Sequence, residues 1–180
     1  RVFTELTDWH ISLGEAGEDG LLDTVRSMMD DLRRDFGVWV IDHYARWMAG
    51  SEDRPRLSVD LVREFLVPRL GSDPVYFVVL DCMRLDQWRV IAPLLTEYFE
   101  IEETYHYSIL PTATPYARNA IFSGQYADEI AKKRPEWWDQ SDDEGSLNAF
   151  EDKLLFEQLR RITGRDVHVH YEKIFSDRQG

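Results

Sequence analysis

The sequence predicts an α/β fold in which a helical bundle segment, residues 1–70, precedes the first part of a sheet with flanking helices. Two observations support this prediction. In the first segment, apolar residues recur at steps of three and four, as on one face of an amphipathic helix. After Gly71, apolar runs of strand length alternate with helical periodicity, which is typical of a parallel sheet covered by helices. We therefore place a domain boundary near residue 71 and a second domain at 71–180.

The composition indicates a folded, acidic protein. Hydrophobic residues make up 43% of the 180 residues, and the formal net charge is −13. Such a surface repels a nucleic-acid duplex, whose binding proteins usually present a basic face, so duplex DNA binding is not expected. Cys82 is the single cysteine, which excludes an internal disulfide. Without a signal peptide or a long apolar run, we expect a cytoplasmic protein with no membrane insertion.

Three helices are predicted before the boundary. The first contains an apolar stripe over residues 21–32, and the second continues the spacing from Phe36 to Met48 and ends at Gly50. Ser58 is a suitable cap for a third helix that reaches residue 70, with Pro68 near its end. These helices would bury their apolar stripes against one another.

Strands and helices alternate after the boundary. Residues 75–80 form a continuous apolar run, which predicts a strand buried on both faces, and a helix follows over 85–99. A weaker strand is predicted at 101–110, and a helix then runs from Thr114 to Gly124. Asn148 and Glu151 have the spacing of a capping box before another helix. Residues 167–171 alternate as a strand does, which completes a βαβαβ-like order.

Asp81 ends the first predicted strand. Ligands of open parallel sheets gather beyond the carboxyl ends of the strands, and a carboxylate there suits a divalent cation. The alternative is that Asp81 only caps the helix that follows. The motif predicts a metal ligand without excluding that simpler role.

Thr114 is the candidate catalytic residue. We place it at the N-cap, with Pro115 in the first helical position, where the missing N–H costs nothing. There the hydroxyl would meet the positive end of the helix dipole and free backbone N–H groups, and a nearby metal would make it a nucleophile. Arg118 and Asn119, about one turn along, are predicted to bind the phosphoryl oxygens of a substrate. The alternatives are an ordinary capped helix and, as nucleophile, Thr112, which lies two residues too early for the cap geometry.

Other residues give weaker signals. His168 and His170 share one side of a predicted strand, where they could chelate a metal, although ordinary hydrogen bonds are the commoner role. Cys82 has no adjacent base and is expected to act as a small hydrophobe. The tryptophan pair 137–138 could stack on a base, but anchoring a loop on the core is the better interpretation.

Taken together, the segments 78–88 and 108–124 resemble the PglZ domain of the alkaline phosphatase superfamily. Residues 1–70 and the later tryptophan pair, Asn148 and Glu151 are similar to response regulators of the PorX kind, in which a receiver domain and a helical bundle precede a PglZ output domain. The resemblance implies an alkaline-phosphatase-like sheet. It also implies two zinc ions, with Asp81 as a ligand and Thr114 as the nucleophile and a residue of the metal site.

The resemblance implies a function as well. It is that of a zinc-dependent phosphodiesterase acting on cyclic or linear oligonucleotides, with a role in regulating type IX secretion. Its implied partners are a sigma factor and a secretion-motor protein, and the protein would dimerise on activation. The alternative is a non-catalytic signalling module that works by phosphorylation-controlled dimerisation and partner binding. Because the later Asp and His ligands of the superfamily have no match up to Gly180, we expect this segment alone to be an inactive part of the domain.

Overall fold

The computed structural model describes residues 1–51, 53–138 and 148–174. Their contacts divide the chain into two compact units. The first unit comprises Arg1–Arg54 and Leu80–Thr104, and the second comprises Pro55–Val79 and Tyr105–Gly180. The domain boundary near residue 71 stays a prediction, because these units are groups of contacts and not tests of independent folding.

The part of the first unit that the structure describes contains three helices. Helix α1 spans Val2–Ala16, α2 spans Asp19–Met48 and α3 spans Leu85–Leu95. The two apolar runs that we predicted as separate helices are one 30-residue helix, α2, since the charged residues between them contain no proline to interrupt it. Gly17 ends α1 in the left-handed conformation, with φ 72°, which a glycine adopts without steric cost.

Helices α1 and α2 pack as a hairpin around a small core of Leu6, Val25 and Met29. Helix α3 joins α1 through Arg89, whose Nε and Nη2 donate to the two carboxylate oxygens of Asp8 at 2.6 and 2.8 Å. This two-bond geometry fixes the orientation of the guanidinium as well as its distance. The pair therefore anchors α3 on the hairpin.

In its described residues, the second unit contains short helical segments and three longer helices. Short turns at Ser58–Asp60, Val62–Leu66 and Val67–Arg69 replace the third predicted helix. Their 3-10 and π geometry is irregular, and Pro68 contributes because it has no N–H for a regular helical hydrogen bond. The longer helices are listed in chain order: α4 Thr114–Ser123, α5 Ala127–Lys133 and α6 Glu151–Thr163.

The core of the second unit lies between these helices. It is centred on apolar side chains that share almost complete burial: Val62, Leu66, Phe122, Ile130, Leu154, Leu155 and Leu159. Helix α6 contributes to it from a stripe at steps of three and four residues. Helix α4 contributes Phe122 from its last turn, so α4 and α6 are packed against each other.

The predicted sheet is wrong. Among the described residues the only β pairing is an isolated parallel bridge between Leu57 and Tyr107, and all the other regular secondary structure is helical. The run 75–80 is extended but unpaired, and it is not buried on both faces. Phe77 and Val79 pack against the core, whereas Tyr76 and Val78 are 87% and 72% exposed. An extended segment becomes a strand only beside a pairing neighbour, and this run is buried instead by one-sided packing on helices.

The other predicted strands also lack a ladder in the described part of the chain. Residues 101–110 contribute only the bridge at Tyr107. Within 167–171 the alternation is present as packing, since Val167, Val169 and Tyr171 contact the core while the histidines between them are exposed. No described helix combines the length and apolar character needed to cross a bilayer.

Candidate active site

Thr114 is the first residue of α4 and not its N-cap, so the helix begins one residue earlier than predicted. Ala113 is the N-cap, and its carbonyl accepts hydrogen bonds from the amides of Tyr116 and Ala117, both at 3.0 Å. Pro115 follows within the first turn, and Gly124 ends the helix in the left-handed conformation with φ 62°, as predicted. The half-buried Thr114 hydroxyl is therefore carried by the helix itself.

The start of α4 offers fewer backbone donors than we expected. Pro115 has no N–H, and the amides of Tyr116 and Ala117 already bond to Ala113. The positive end of the helix dipole remains at Thr114. Stabilisation of a phosphoryl group at this end therefore depends more on side chains than on free amides.

Arg118 lies on the same face of α4 as Thr114, because residues four apart are neighbours on a helix. Its Nη2 donates to Oε2 of Glu151 at 2.5 Å. The Arg118 side chain retains 18% exposure, whereas the Glu151 side chain has none. Arg118 is thus held one turn from Thr114 by a buried carboxylate, and its substrate-binding role stays a prediction.

Asn119 points in another direction. It follows Thr114 by five residues, which is about 140° around the helix axis. The side chain is buried at 1% exposure, and its Oδ1 accepts a hydrogen bond from Nδ2 of Asn148 at 3.3 Å. The structure therefore places Asn119 in the interior, away from the Thr114 face, and a substrate-binding role for it stays a prediction.

The carboxylate of Glu151 is the centre of a buried polar network. Its Oε2 accepts from Arg118 and from the hydroxyl of Tyr171, both at 2.5 Å, and its Oε1 accepts from Nδ2 of Asn148 at 3.0 Å. Three donors offset the cost of removing a charge from water. Burial and the hydrogen bond to Glu151 raise the pKa of Tyr171 to about 12. We call Arg118, Asn119, Asn148, Glu151 and Tyr171 the Glu151 network.

The predicted capping box at Asn148 and Glu151 is wrong. Phe150 is the N-cap of α6, and Glu151 is its first residue. The two predicted side chains do meet, but they bond to each other and not to the helix backbone. Glu151 cannot serve as the box partner because its carboxylate is already occupied by Arg118 and Tyr171.

Two partners in this network were missed by the sequence interpretation: Glu151 as a buried charge and Tyr171 as its donor. A signal for Glu151 was present, since it begins the buried stripe of α6 that continues through Leu154, Leu155 and Gln158. A carboxylate in an apolar stripe requires donors from elsewhere in the fold. Tyr171 had no comparable signal, because a contact across 20 residues depends on the tertiary structure.

The end of α4 is fixed on α6 by side chains of α6. Arg161 donates to the carbonyl of Ser123 at 2.7 Å. The amide of Gln158, in the orientation that satisfies both of its ends, donates to Phe122 O at 2.8 Å and accepts from Gly124 N at 3.2 Å. These bonds satisfy terminal groups of α4 that have no partner within the helix. The C-terminal end of the helix that carries Thr114 is therefore fixed on α6.

Asp81 belongs to the first unit, whereas Thr114 belongs to the second. Asp81 is exposed in the turn before α3, and its Oδ1 accepts from the amide of Cys82 at 2.9 Å. Cys82 is exposed as well, with φ 59°, which is uncommon for a residue other than glycine. Asp81 lines an open cleft of about 700 Å³ together with Leu80, Val90 and Ile91. Its carboxylate is accessible to a cation from solvent.

The described residues do not assemble a metal site by themselves. None of their histidine, cysteine, aspartate and glutamate side chains form a group of three or more that could hold an ion. His168 and His170 share an exposed side, as their spacing predicted. Asp81 therefore stands as a single candidate ligand, and this donor set does not fit a zinc ion without further ligands.

The two tryptophans anchor a segment on the core. Trp137 and Trp138 both pack against the core of the second unit, and the ring of Trp138 lies 5.6 Å from that of Tyr116 on α4. Trp137 stacks on Phe150 with ring centroids 6.3 Å apart. Anchoring on the core accounts for these contacts, and stacking on a bound base is not needed to explain them.

A comparison with protein families places this sequence in a known class. The family model described as BREX system PglZ alkaline phosphatase-like domain matches residues 61–179. The matched segment defines an alkaline phosphatase-like protein and includes Thr114 and the whole Glu151 network. Within that class, the chain belongs to the PglZ family. A comparison with curated proteins gives no match.

Proposed function

We propose that the protein is a metal-dependent phosphodiesterase that acts on cyclic or linear oligonucleotides, with Thr114 as its nucleophile. The observation that carries the proposal is the family match across residues 61–179, which covers a threonine at the start of a well-anchored helix. An alkaline phosphatase-like domain is consistent with phosphoester hydrolysis. The substrate, the metal and the role of Thr114 are the parts that experiments must test.

The proposed reaction begins when Oγ of Thr114 attacks phosphorus in line with the leaving oxygen. A bond from Oγ to phosphorus forms, the bond from phosphorus to the leaving oxygen breaks, and the hydroxyl proton is lost to solvent or to the leaving group. The dipole of α4 and the guanidinium of Arg118 stabilise negative charge on the phosphoryl oxygens. Water then hydrolyses the phosphothreonine and restores the hydroxyl.

We include zinc in the proposal, with Asp81 as one ligand and two ions in the complete centre. The described residues contribute no further group of ligands. When bound, zinc would act as a Lewis acid toward phosphoryl oxygens. Metal analysis of the purified full-length protein, before and after Asp81→Asn, tests this part: the variant should retain less zinc, and an unchanged content would remove Asp81 from the ligand set.

The variant Thr114→Val tests the nucleophile. Valine keeps the size and branching of threonine but has no hydroxyl, so hydrolysis of a diester should fall by roughly a thousandfold or more. The matched control is Thr112→Val, since Thr112 is exposed, lies two residues earlier and was the competing candidate. Steady-state rates of both full-length variants decide the assignment. Full activity in Thr114→Val, or loss confined to Thr112→Val, would contradict it.

We also propose a biological setting from the resemblance to PorX-like response regulators. The protein would be a cytoplasmic regulator of type IX secretion that dimerises on activation and binds a sigma factor and a secretion-motor protein. Light scattering before and after phosphorylation of the full-length protein, with binding assays for both partners, tests this setting. A monomer that binds neither partner would contradict it.

A second candidate is a non-catalytic module that works by binding protein partners. The family description favours considering it, because it names a BREX system and not an isolated enzyme. Under this candidate, Thr114→Val would leave the cellular function of the system intact, because that function does not depend on hydrolysis. Loss of both together supports the enzyme.

A further inference from the structure

The Glu151 network places a full negative charge beside the one cationic side chain on the Thr114 face of α4. Arg118 Nη2 lies 2.5 Å from Glu151 Oε2. Glu151 is completely buried, so solvent does not screen the pair from the carboxylate side. The charges of the two side chains therefore cancel at the point where Arg118 would meet a phosphoryl group.

The carboxylate is held in place by more than Arg118. The Tyr171 hydroxyl donates to the same oxygen at 2.5 Å, and Asn148 donates to the other oxygen at 3.0 Å. Asn148 is itself fixed by Asn119 Oδ1 at 3.3 Å. Glu151 can therefore keep its position and charge while Arg118, which is 18% exposed, also meets a ligand.

The neutralised Arg118 should affect the binding of phosphodiesters and of phosphomonoesters differently. A phosphodiester carries one negative charge, whereas a phosphomonoester carries nearly two at pH 8, because its second pKa is about 6. A free guanidinium beside the reacting group would favour the dianion. A guanidinium that is already neutralised by a carboxylate should bind a dianion little more strongly than a monoanion.

We propose that Glu151 is a positioning residue that orients and neutralises Arg118, and that this pair makes the Thr114 end of α4 selective for singly charged phosphodiesters over dianionic monoesters. The inference rests on the proposed function for its substrates. It adds a residue and a physical basis for the choice between them. Tyr171 supports the arrangement, because its hydroxyl donates to the same carboxylate oxygen as Arg118.

The test compares Glu151→Gln with Glu157→Gln in the full-length protein. Glutamine at 151 keeps the size of the side chain but removes its charge, which leaves Arg118 unneutralised. Glu157 is the matched control, since it also lies on α6 and pairs with an arginine, Arg134, at 2.5 Å. Both variants change the net charge equally, and only the first changes the charge at Arg118.

Binding of inorganic phosphate and of dimethyl phosphate, measured by calorimetry at pH 8, needs no hydrolysis. We expect Glu151→Gln to raise the affinity for phosphate relative to dimethyl phosphate by roughly tenfold, and Glu157→Gln to leave the ratio unchanged. In the double variant Arg118→Gln, Glu151→Gln, the ratio should return to the wild-type value. An unchanged ratio in Glu151→Gln, equal changes in both single variants, or no phosphate binding to Glu151→Gln would overturn the inference.

Hydrolysis gives the second measurement. The ratio of kcat/KM for bis-p-nitrophenyl phosphate to that for p-nitrophenyl phosphate should fall in Glu151→Gln and not in Glu157→Gln. If the wild type hydrolyses neither ester, the proposed function fails, while the binding ratio still decides the role of Glu151. A merely structural role would lower the affinity for both anions together and leave their ratio constant.

Circular dichroism establishes whether Glu151→Gln folds. If it does not, Glu151→Asp replaces it, because aspartate keeps the charge but withdraws the carboxylate from Arg118 by one methylene. The binding ratio should then shift in the same direction by a smaller factor. A folded Glu151→Asp variant with the wild-type ratio would overturn the inference.

Discussion

At the scale of single residues, the described part of the second unit is organised around a charge that water cannot reach. Glu151 is tolerated because Arg118, Tyr171 and Asn148 together satisfy both carboxylate oxygens. Removing any one donor leaves the carboxylate partly unsatisfied, which costs more than the loss of an exposed hydrogen bond. The network is therefore sensitive to small changes in its members.

Tyr171→Phe tests this sensitivity. It removes only the hydroxyl, and we expect the free energy of unfolding at neutral pH to fall by about 1 to 3 kcal/mol. The matched control is Tyr116→Phe, which removes a hydroxyl from an exposed ring and should change stability little. Chemical denaturation of the two variants measures the difference, and equal losses would contradict the role assigned to Tyr171.

The same residue predicts a dependence on alkaline pH. The pKa of Tyr171 is raised from 10.0 to about 12 on folding, so the native state holds this proton more tightly than the unfolded chain. The contribution is complete below pH 10 and is lost as the pH rises toward 12. The difference in unfolding free energy between wild type and Tyr171→Phe should shrink over that interval. A difference that is constant with pH would be inconsistent with the raised pKa.

At the scale of elements, periodicity predicted the apolar stripes of α2 and α6, but it divided α2 into two helices and predicted strands that do not form. The apolar stripes of α2 and α6 are set by contacts three and four residues apart, which the sequence contains. A strand depends on a neighbour distant in sequence, and the run 75–80 shows that an apolar segment can satisfy its side chains by packing on helices instead. Thr114 was placed correctly to within one residue, because a proline and a glycine mark the two ends of α4.

The junction between α4 and α6 can be tested at Gly124. A Cβ added there would clash with the side-chain amide of the buried Gln158, and the backbone already has φ +62°. We expect Gly124→Ala to destabilise the protein by about 2 to 5 kcal/mol, from the clash and the backbone strain together. The matched control is Gly164→Ala, where φ is +69° but nothing lies within 4 Å.

In Gly164→Ala the free energy of unfolding should therefore fall only by the cost of the backbone strain, about 1 to 2 kcal/mol. Thermal or chemical unfolding of both variants isolates the contribution of Gln158 as the difference between them. Equal losses at the two glycines would mean that Gln158 moves aside without cost.

At the scale of the whole molecule, the net charge predicts that the protein does not bind a nucleic-acid duplex. The formal charge of −13 opposes binding to a duplex, whose backbone is itself densely anionic. Fluorescence anisotropy of a labelled duplex should remain flat through the titration at about 0.15 M salt. A basic DNA-binding protein serves as the positive control, and saturable binding by the acidic protein would contradict the prediction.

The single exposed cysteine gives the first unit a natural labelling position. Cys82 follows Asp81 in the sequence, and its backbone amide donates to the Asp81 carboxylate. A thiol-specific fluorophore on Cys82 would therefore lie beside the proposed ligand. No other thiol in the 180 residues competes for the reagent. A change in the fluorescence of the label during a zinc titration would then report metal binding at Asp81, and no mutation is needed.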